Sequence, residues 1–213
     1  MKSRHICAVL VSIAFLTVPP AGADEVTASA QAKIAEVVRT VMKEVNAHGR
    51  AQAATQGPAS QAADLATLQS VDEISGRIKT LHRYRDALND MIGILVAAPA
   101  RAMLQARNRG LGMAAAQQAF VATKQAMAEG SAPVLIAKLQ ADRDWVNAVV
   151  SGYQVLGANR DSWRPNTQSD NPPIIIRDRA FVDVFLEVID QIAAAEERAN
   201  AASDAVERAR RGG

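Results

Sequence analysis

The side chains best placed to do chemistry in this sequence are two charged residues that interrupt apolar repeats. Ile74, Ile78, Leu81, Leu88, Ile92 and Leu95 recur in steps of four and three, and Arg85 fills the skipped place. Leu135, Leu139, Val146, Val149, Tyr153 and Leu156 repeat the pattern, with Asp142 in the gap. Such spacing marks the apolar seam of a helix, and a charge set into a seam demands a partner because an isolated buried ion is costly. If the two helices pack antiparallel with Arg85 opposite Asp142, Ile78 meets Val149, Leu81 meets Val146, Leu88 meets Leu139 and Ile92 meets Leu135. Every apolar position then faces another. Arg85 and Asp142 are therefore expected as a buried polar pair that fixes register. With a single helix between the two, simple alternation would make them parallel, so this match also requires a reversal at Pro99. The plainer reading turns both side chains outward to water, which a long Arg does easily.

Other constellations carry less. His82 and Asp86 stand one turn apart and offer two metal ligands, but no His-x-x-x-His or Glu-x-x-His spacing accompanies them, and the pair reads as a solvated face. Asp183, Glu187 and Asp190 share a face opposite Phe185, Val188 and Ile192, the wet side of an amphipathic helix. Neither a Gly-x-Ser-x-Gly elbow nor a phosphate-binding glycine loop occurs. Met91, Met103, Met113 and Met127 read as gap fillers in an Ala-rich core. No catalytic residue, cofactor or metal ligand set is expected. Recognition is better served by Arg160-Asp161-Ser162-Trp163-Arg164-Pro165, because Trp and Arg dominate binding hot spots. Trp163, Arg160 and Arg164 are the candidate interaction residues; the alternative folds Trp163 down as a cap on the helices.

The elements that must hold these residues are helical throughout. A first helix spans about Val26 to His48, with Ile34, Val37, Val38, Val41 and Val45 on one face and Gly49 as its stop. Residues 49–61, rich in Ala, Gln and Gly around Gly57-Pro58, read as a linker-like loop. Ser70-Val71-Asp72-Glu73 is a capping box opening the second helix, with a helical turn over 62–69 expected before it. Pro99 should end or kink that helix near Ala97, and a short helix then runs from Ala100 to Arg109. A third helix covers Met113 to Glu129 and a fourth Pro133 to Leu156, closed by Gly157. Residues 158–177 form an irregular loop in which Ile174-Ile175-Ile176 runs extended. The last helix starts near Asp178. Its first half carries the core residues Phe181, Val182, Phe185, Val188, Ile189 and Ile192. Its second half, 193–213, is Ala with Glu and Arg, helical by propensity and with little to bury. The fold class is all-α: an up-and-down bundle of about five helices with a long irregular loop before the last.

The N-terminus sets the compartment. Lys2 and Arg4 precede an apolar run from Ile6 to Val18, then Pro19-Pro20 and Ala21-Gly22-Ala23, the order of a secretory signal cleaved after Ala23. The run is shorter than the roughly 20 apolar residues a bilayer span requires. Residues 1–23 are read as that leader and 24–213 as one helical domain. Two of the 24 Lys and Arg residues and none of the 22 acids fall in the leader, so the remaining chain is charge-balanced. Nucleic-acid affinity loses its support. The single Cys, Cys7, also leaves, and with it any disulfide or Cys-ligated zinc. No later apolar stretch is expected to span a bilayer, Met91 to Ala98 being short and followed by Pro99 and Arg101. The sequence thus points to a non-enzymatic interaction protein of the bacterial envelope, periplasmic or secreted, whose partner is another envelope protein. The alternative is a bundle that binds a small molecule or metal near Arg85, His82, Tyr84 and Asp142, or an enzyme built on one.

Overall fold

The computed structural model describes residues 28–166 and 173–211; the expected leader over residues 1–23 lies outside the described residues. Five α-helices dominate: α1 (Ala28–Ala63), α2 (Glu73–Asn108), α3 (Met113–Glu129), α4 (Ala132–Ala158) and α5 (Phe181–Arg211). A short antiparallel ribbon, β1 (Trp163–Pro165) with β2 (Ile174–Ile176), precedes α5 in the irregular segment and pairs Trp163 with Ile176. The chain is an all-α bundle of five helices, as the periodicity predicts.

Two helices outrun their sequence signals. Residues 49–61 are not a loop: α1 continues through Gly49, Gly57 and Pro58 to Ala63. Ala51, Ala53, Ala54, Ala59, Ala62 and Ala63 supply high helix propensity, and burial of Ala59 ties the segment down. Pro58 removes only one donor, the one Ala54 would have used. Likewise α2 does not end near Ala97 but passes through Pro99 to Asn108 as one helix. Leu95, Ala98, Ala102 and Ala106 are buried on both sides of the proline. Continuous packing outweighs one lost hydrogen bond. Gly110 (φ 77°) then closes α2, with the Leu111 amide donating to the Ala106 carbonyl at 3.1 Å.

The extra length changes the membrane reading. An 18-residue window of α2 has mean hydropathy 1.3 and is 28% buried, so among the described helices this one is long and apolar enough to cross a bilayer. The apolar run read as stopping at Pro99 does not stop there.

Contacts group the described residues into two compact units. The first takes 28–51 and 90–136, the second 52–89, 137–166 and 173–211. In the first, Ile34, Val37, Val38, Val41, Met42 and Val45 of α1 are buried, as are Met91, Leu95, Ala98, Ala102 and Ala106 of α2. These two helices run antiparallel there. Arg109 reaches Glu36 at 2.8 Å, and Gln105 Nε2 donates to Glu44 Oε1 at 3.2 Å. Ala115, Ala116, Ala119 and Thr123 bury the inner face of α3, and Thr123 Oγ1 satisfies itself on the Ala119 carbonyl at 2.8 Å. Small side chains of this kind let backbones approach closely, so a core poor in aromatics still excludes water.

In the second unit α2 and α4 are antiparallel, and their register decides where the charged seam residues go.

Candidate functional site

The α4 seam is as read. Leu135, Leu139, Asp142, Val146, Val149, Tyr153 and Leu156 are all buried. The α2 seam is displaced by one residue at every second position. Ile74, Leu81, Leu88 and Leu95 are buried as expected, but Tyr84, Met91 and Ala98 alternate with them, while Ile78, Arg85 and Ile92 are only half-buried. Asp142 therefore faces Tyr84, whose hydroxyl donates to Oδ2 at 3.4 Å. Lys138, one turn earlier on α4, closes on the same oxygen. Arg85 bonds to its neighbour Asp86 at 3.6 Å, so the expected Arg85–Asp142 pair is not formed. The reason is geometric: a tyrosine buries a large apolar body and presents a hydroxyl at its tip, whereas an Arg with a route to water takes it. Gln52 Nε2 reaches the Tyr84 hydroxyl at 3.5 Å and extends the chain to the α1 side. Asp142 is thus neutralised and hydrogen-bonded by its own unit, which suits register rather than catalysis.

The displaced seam brings in Arg77, a residue the sequence did not single out. Its guanidinium is a clasp. Nη1 donates to the Asp64 carbonyl at 2.8 Å and the Tyr153 hydroxyl at 3.3 Å, and Nη2 to the Thr67 carbonyl at 2.7 Å and Glu73 Oε2 at 3.1 Å. Five donors in a fixed fork satisfy the carbonyls that the end of α1 and the Leu65–Thr67 3₁₀ turn leave open. Tyr153 donates to the Ala62 carbonyl at 2.7 Å. Burial pushes its pKa above the ordinary 10.0, with the Arg77 hydrogen bond opposing. The capping box appears in altered form: Ser70 Oγ accepts from the Asp72 amide at 3.1 Å, and Glu73 Oε2 from the Gln69 amide at 3.5 Å. Glu73 is shared with Arg77, which draws it away from the reciprocal arrangement.

Trp163 is not an exposed hot spot. It is 1% exposed, and its Nε1–H donates to the Leu156 carbonyl at 2.8 Å, capping the end of α4. Arg160 and Arg164 are exposed on either side of it, Arg160 lying 4.0 Å from Asp72. The three residues share a segment but not a surface. His82 is half-buried, and Asp86 is engaged by Arg85. Among the described residues, no three His, Cys, Asp or Glu side chains gather as a metal site.

The least expected feature is in α5. Phe181 is buried at its start, and Ala195, Ala199 and Val206 are buried in its second half. From Val182 to Ala194 no residue is buried, although this stretch holds Phe185, Val188, Ile189 and Ile192. Beneath it lies a half-open cleft of about 170 Å³. Val149, Gly152 and Leu156 of α4 form one wall and Phe185, Val188, Ile189 and Ile192 of α5 the other, with Ala193 and Glu196 at the same cleft. Gly152 is the nearest approach: a Cβ there would stand 2.9 Å from Ile192 Cδ1 and 3.0 Å from Val188 Cγ1. The expected core-poor end is the packed one, and the expected core-rich half is not.

No family model, curated protein or solved structure matches the chain.

Proposed function

We propose that this chain is an exported, non-enzymatic interaction protein of the bacterial envelope, acting as an adaptor, an assembly factor or a secretion-apparatus component. The observation that carries the reading is the middle of α5. Phe185, Val188, Ile189 and Ile192 are only half-buried, and Val184 and Leu186 are 45% and 53% exposed. So much apolar surface on three turns of one helix is what a protein-binding face looks like. The fixed anchors on both sides, Phe181 and Ala195, keep the face presented rather than collapsed. Export is supported by the basic–apolar–small order of residues 2–23.

In-cell crosslinking and affinity capture test the reading, comparing the native chain with Leu186→Asp. A discrete envelope protein retained by the native chain and lost from the variant is the expected result. Capture of nothing by either, or equal capture by both, sinks it. N-terminal sequencing of the exported chain should begin at Asp24.

A further inference from the structure

We propose that the face of α5 formed by Val182, Leu186, Ile189 and Ala193 is the docking seam for a basic amphipathic helix of the partner, with one bulky apolar side chain of that helix seated in the adjoining cleft. The inference rests on the interaction reading above and names the chemistry of the partner.

Three observations converge on it. These four residues are spaced four, three and four apart, so they form one continuous stripe, and none of them is buried. Spacing of this kind is the seam that a second helix fits, reading i, i+4, i+7 and i+11. The stripe is about 17 Å long at the helical rise, enough for roughly three turns of contact. Next, Ile189 and Ala193 belong both to the stripe and to the cleft wall, so a helix lying on the stripe has the cleft within reach of one of its side chains. A cavity near 150 Å³ lined by aliphatic and aromatic groups holds a ring-sized apolar guest, and this one is of that size. Of its two polar members, Tyr153 is already committed to the Ala62 carbonyl and Arg77, and Glu196 is exposed, while the rest of the lining is apolar, so an apolar group is the fitting occupant.

The third observation is charge. Asp183, Asp190 and Glu197 recur at seven-residue intervals, each one residue after a position on the Val182–Ile189–Glu196 line, and all three are exposed. They form an acidic edge along the stripe. No Lys or Arg occurs between Ala180 and Arg198. A partner whose apolar face is bordered by Lys or Arg is complementary to that edge, and complementarity of this kind sets orientation and speeds encounter. The same edge disfavours an anionic lipid surface. It also disfavours a second copy, which would bring two rows of carboxylates together.

The probe is a synthetic helix of about 18 residues with Leu at three-four spacing and Lys elsewhere, beside an otherwise identical peptide with Glu for Lys. Both are titrated by calorimetry into the purified chain. The Lys peptide is expected to bind at least about 10-fold tighter than the Glu peptide, and the difference to shrink with added salt. Leu186→Asp should weaken it by about 10-fold or more, and Ala193→Phe, which fills the cleft, by several-fold. Asp190→Lys combined with Glu197→Lys should invert the preference between peptides. Leu104→Asp, at an exposed apolar site on α2, should leave binding unchanged. Circular dichroism of each variant confirms that its helices are intact. Equal affinity for both peptides, or a Leu186→Asp protein that binds as well as the native one, overturns the proposal. So does self-association or binding to neutral phosphatidylcholine vesicles that Leu186→Asp abolishes while the Lys peptide fails to bind. An envelope partner lost in Leu186→Asp without peptide binding would leave the interaction reading standing and remove this inference. Peptide binding that follows the expected pattern with no cellular partner would do the reverse.

Discussion

The two halves of α5 invert the usual equation of hydrophobicity with burial. The first half carries Phe185, Val188, Ile189 and Ile192, and not one of them is buried. The second half carries Ala195, Ala199, Ala202, Val206 and Ala209 on a four-three-four-three stripe, with Ala195, Ala199 and Val206 buried and the other two half-buried. Small side chains let a helix lie close against its neighbours, and close approach is what removes surface from water. Large side chains hold a helix off unless the opposite surface has matching recesses. Opposite Ile192 and Val188 the recess is a single glycine, Gly152, and it is already filled. Both the cleft and its half-exposed rim follow from that mismatch.

Mutations can press on each side of this contrast. The largest effect is expected at Ala199, which is 2% exposed. Ala199→Leu overpacks a close helix contact and should cost about 2 kcal/mol in urea denaturation. A loss under about 0.5 kcal/mol would mean that the stripe is not tightly packed, and the contrast would fail.

Tyr153→Phe comes next, touching the cleft from the α4 side. Loss of the bond to the Ala62 carbonyl should cost about 1 kcal/mol at neutral pH. Tyr153 also gives a pH signature. Its folded pKa is raised by burial, so the folded state holds the phenolic proton more tightly than the unfolded chain. The associated stability is fully present below about pH 10, the unfolded value, and is lost as pH rises through the folded value. Thermal unfolding followed from pH 8 upward should show a fall in Tm above about pH 10 that is shallower in Tyr153→Phe.

The smallest effect is expected at Ile192. Full burial would make Ile192→Ala cost about 2–5 kcal/mol. For a half-exposed side chain over an unfilled cleft we expect under about 1 kcal/mol. A cost above that range would show Ile192 to be a core residue after all. Ala199→Leu and Ile192→Ala together sharpen the comparison, since residue size alone ranks them in the opposite order.

Much of this architecture was legible in the residues. The third helix has the bounds read from the sequence, Met113 to Glu129. Every residue assigned to the α4 seam is buried, although the seam leaves out Trp145 and Val150, which are buried beside it. The antiparallel match of α2 with α4 was one of two readings the residues allowed and is formed within one residue of its expected register, but without the reversal at Pro99 that it was expected to require. Tyr84, named beside Asp142 only in the ligand-binding alternative, was left out of the seam. In α2 two stripes share Ile74, Leu81, Leu88 and Leu95 but differ between them. One runs through Ile78, Arg85 and Ile92, the other through Arg77, Tyr84, Met91 and Ala98. Counting apolar residue types favours the first. The structure takes the second, because Arg77 can serve open carbonyls and Tyr84 can serve Asp142. Lys138 four residues before Asp142 was a visible signal for the charge partner, since that spacing places the two on one helix face. For Arg77 the only signal lay in choosing the right seam.

By itself, the sequence determined local matters: which segments outside residues 49–61 are helical, where Ser70 to Glu73 opens α2, and that Trp163 stands in irregular chain before the last helix. These follow from propensity, capping and periodicity, which act over a few residues. The tertiary structure alone decided which of two overlapping stripes on α2 faces inward, that Gly57-Pro58 and Pro99 are carried within helices, and which half of α5 is buried. Each of those depends on the surface opposite, and on whether it offers a hydrogen-bond acceptor, a recess or continuous packing. A chain read one segment at a time contains the donors, the bulk and the small residues, but not the distances between helices that give them their roles.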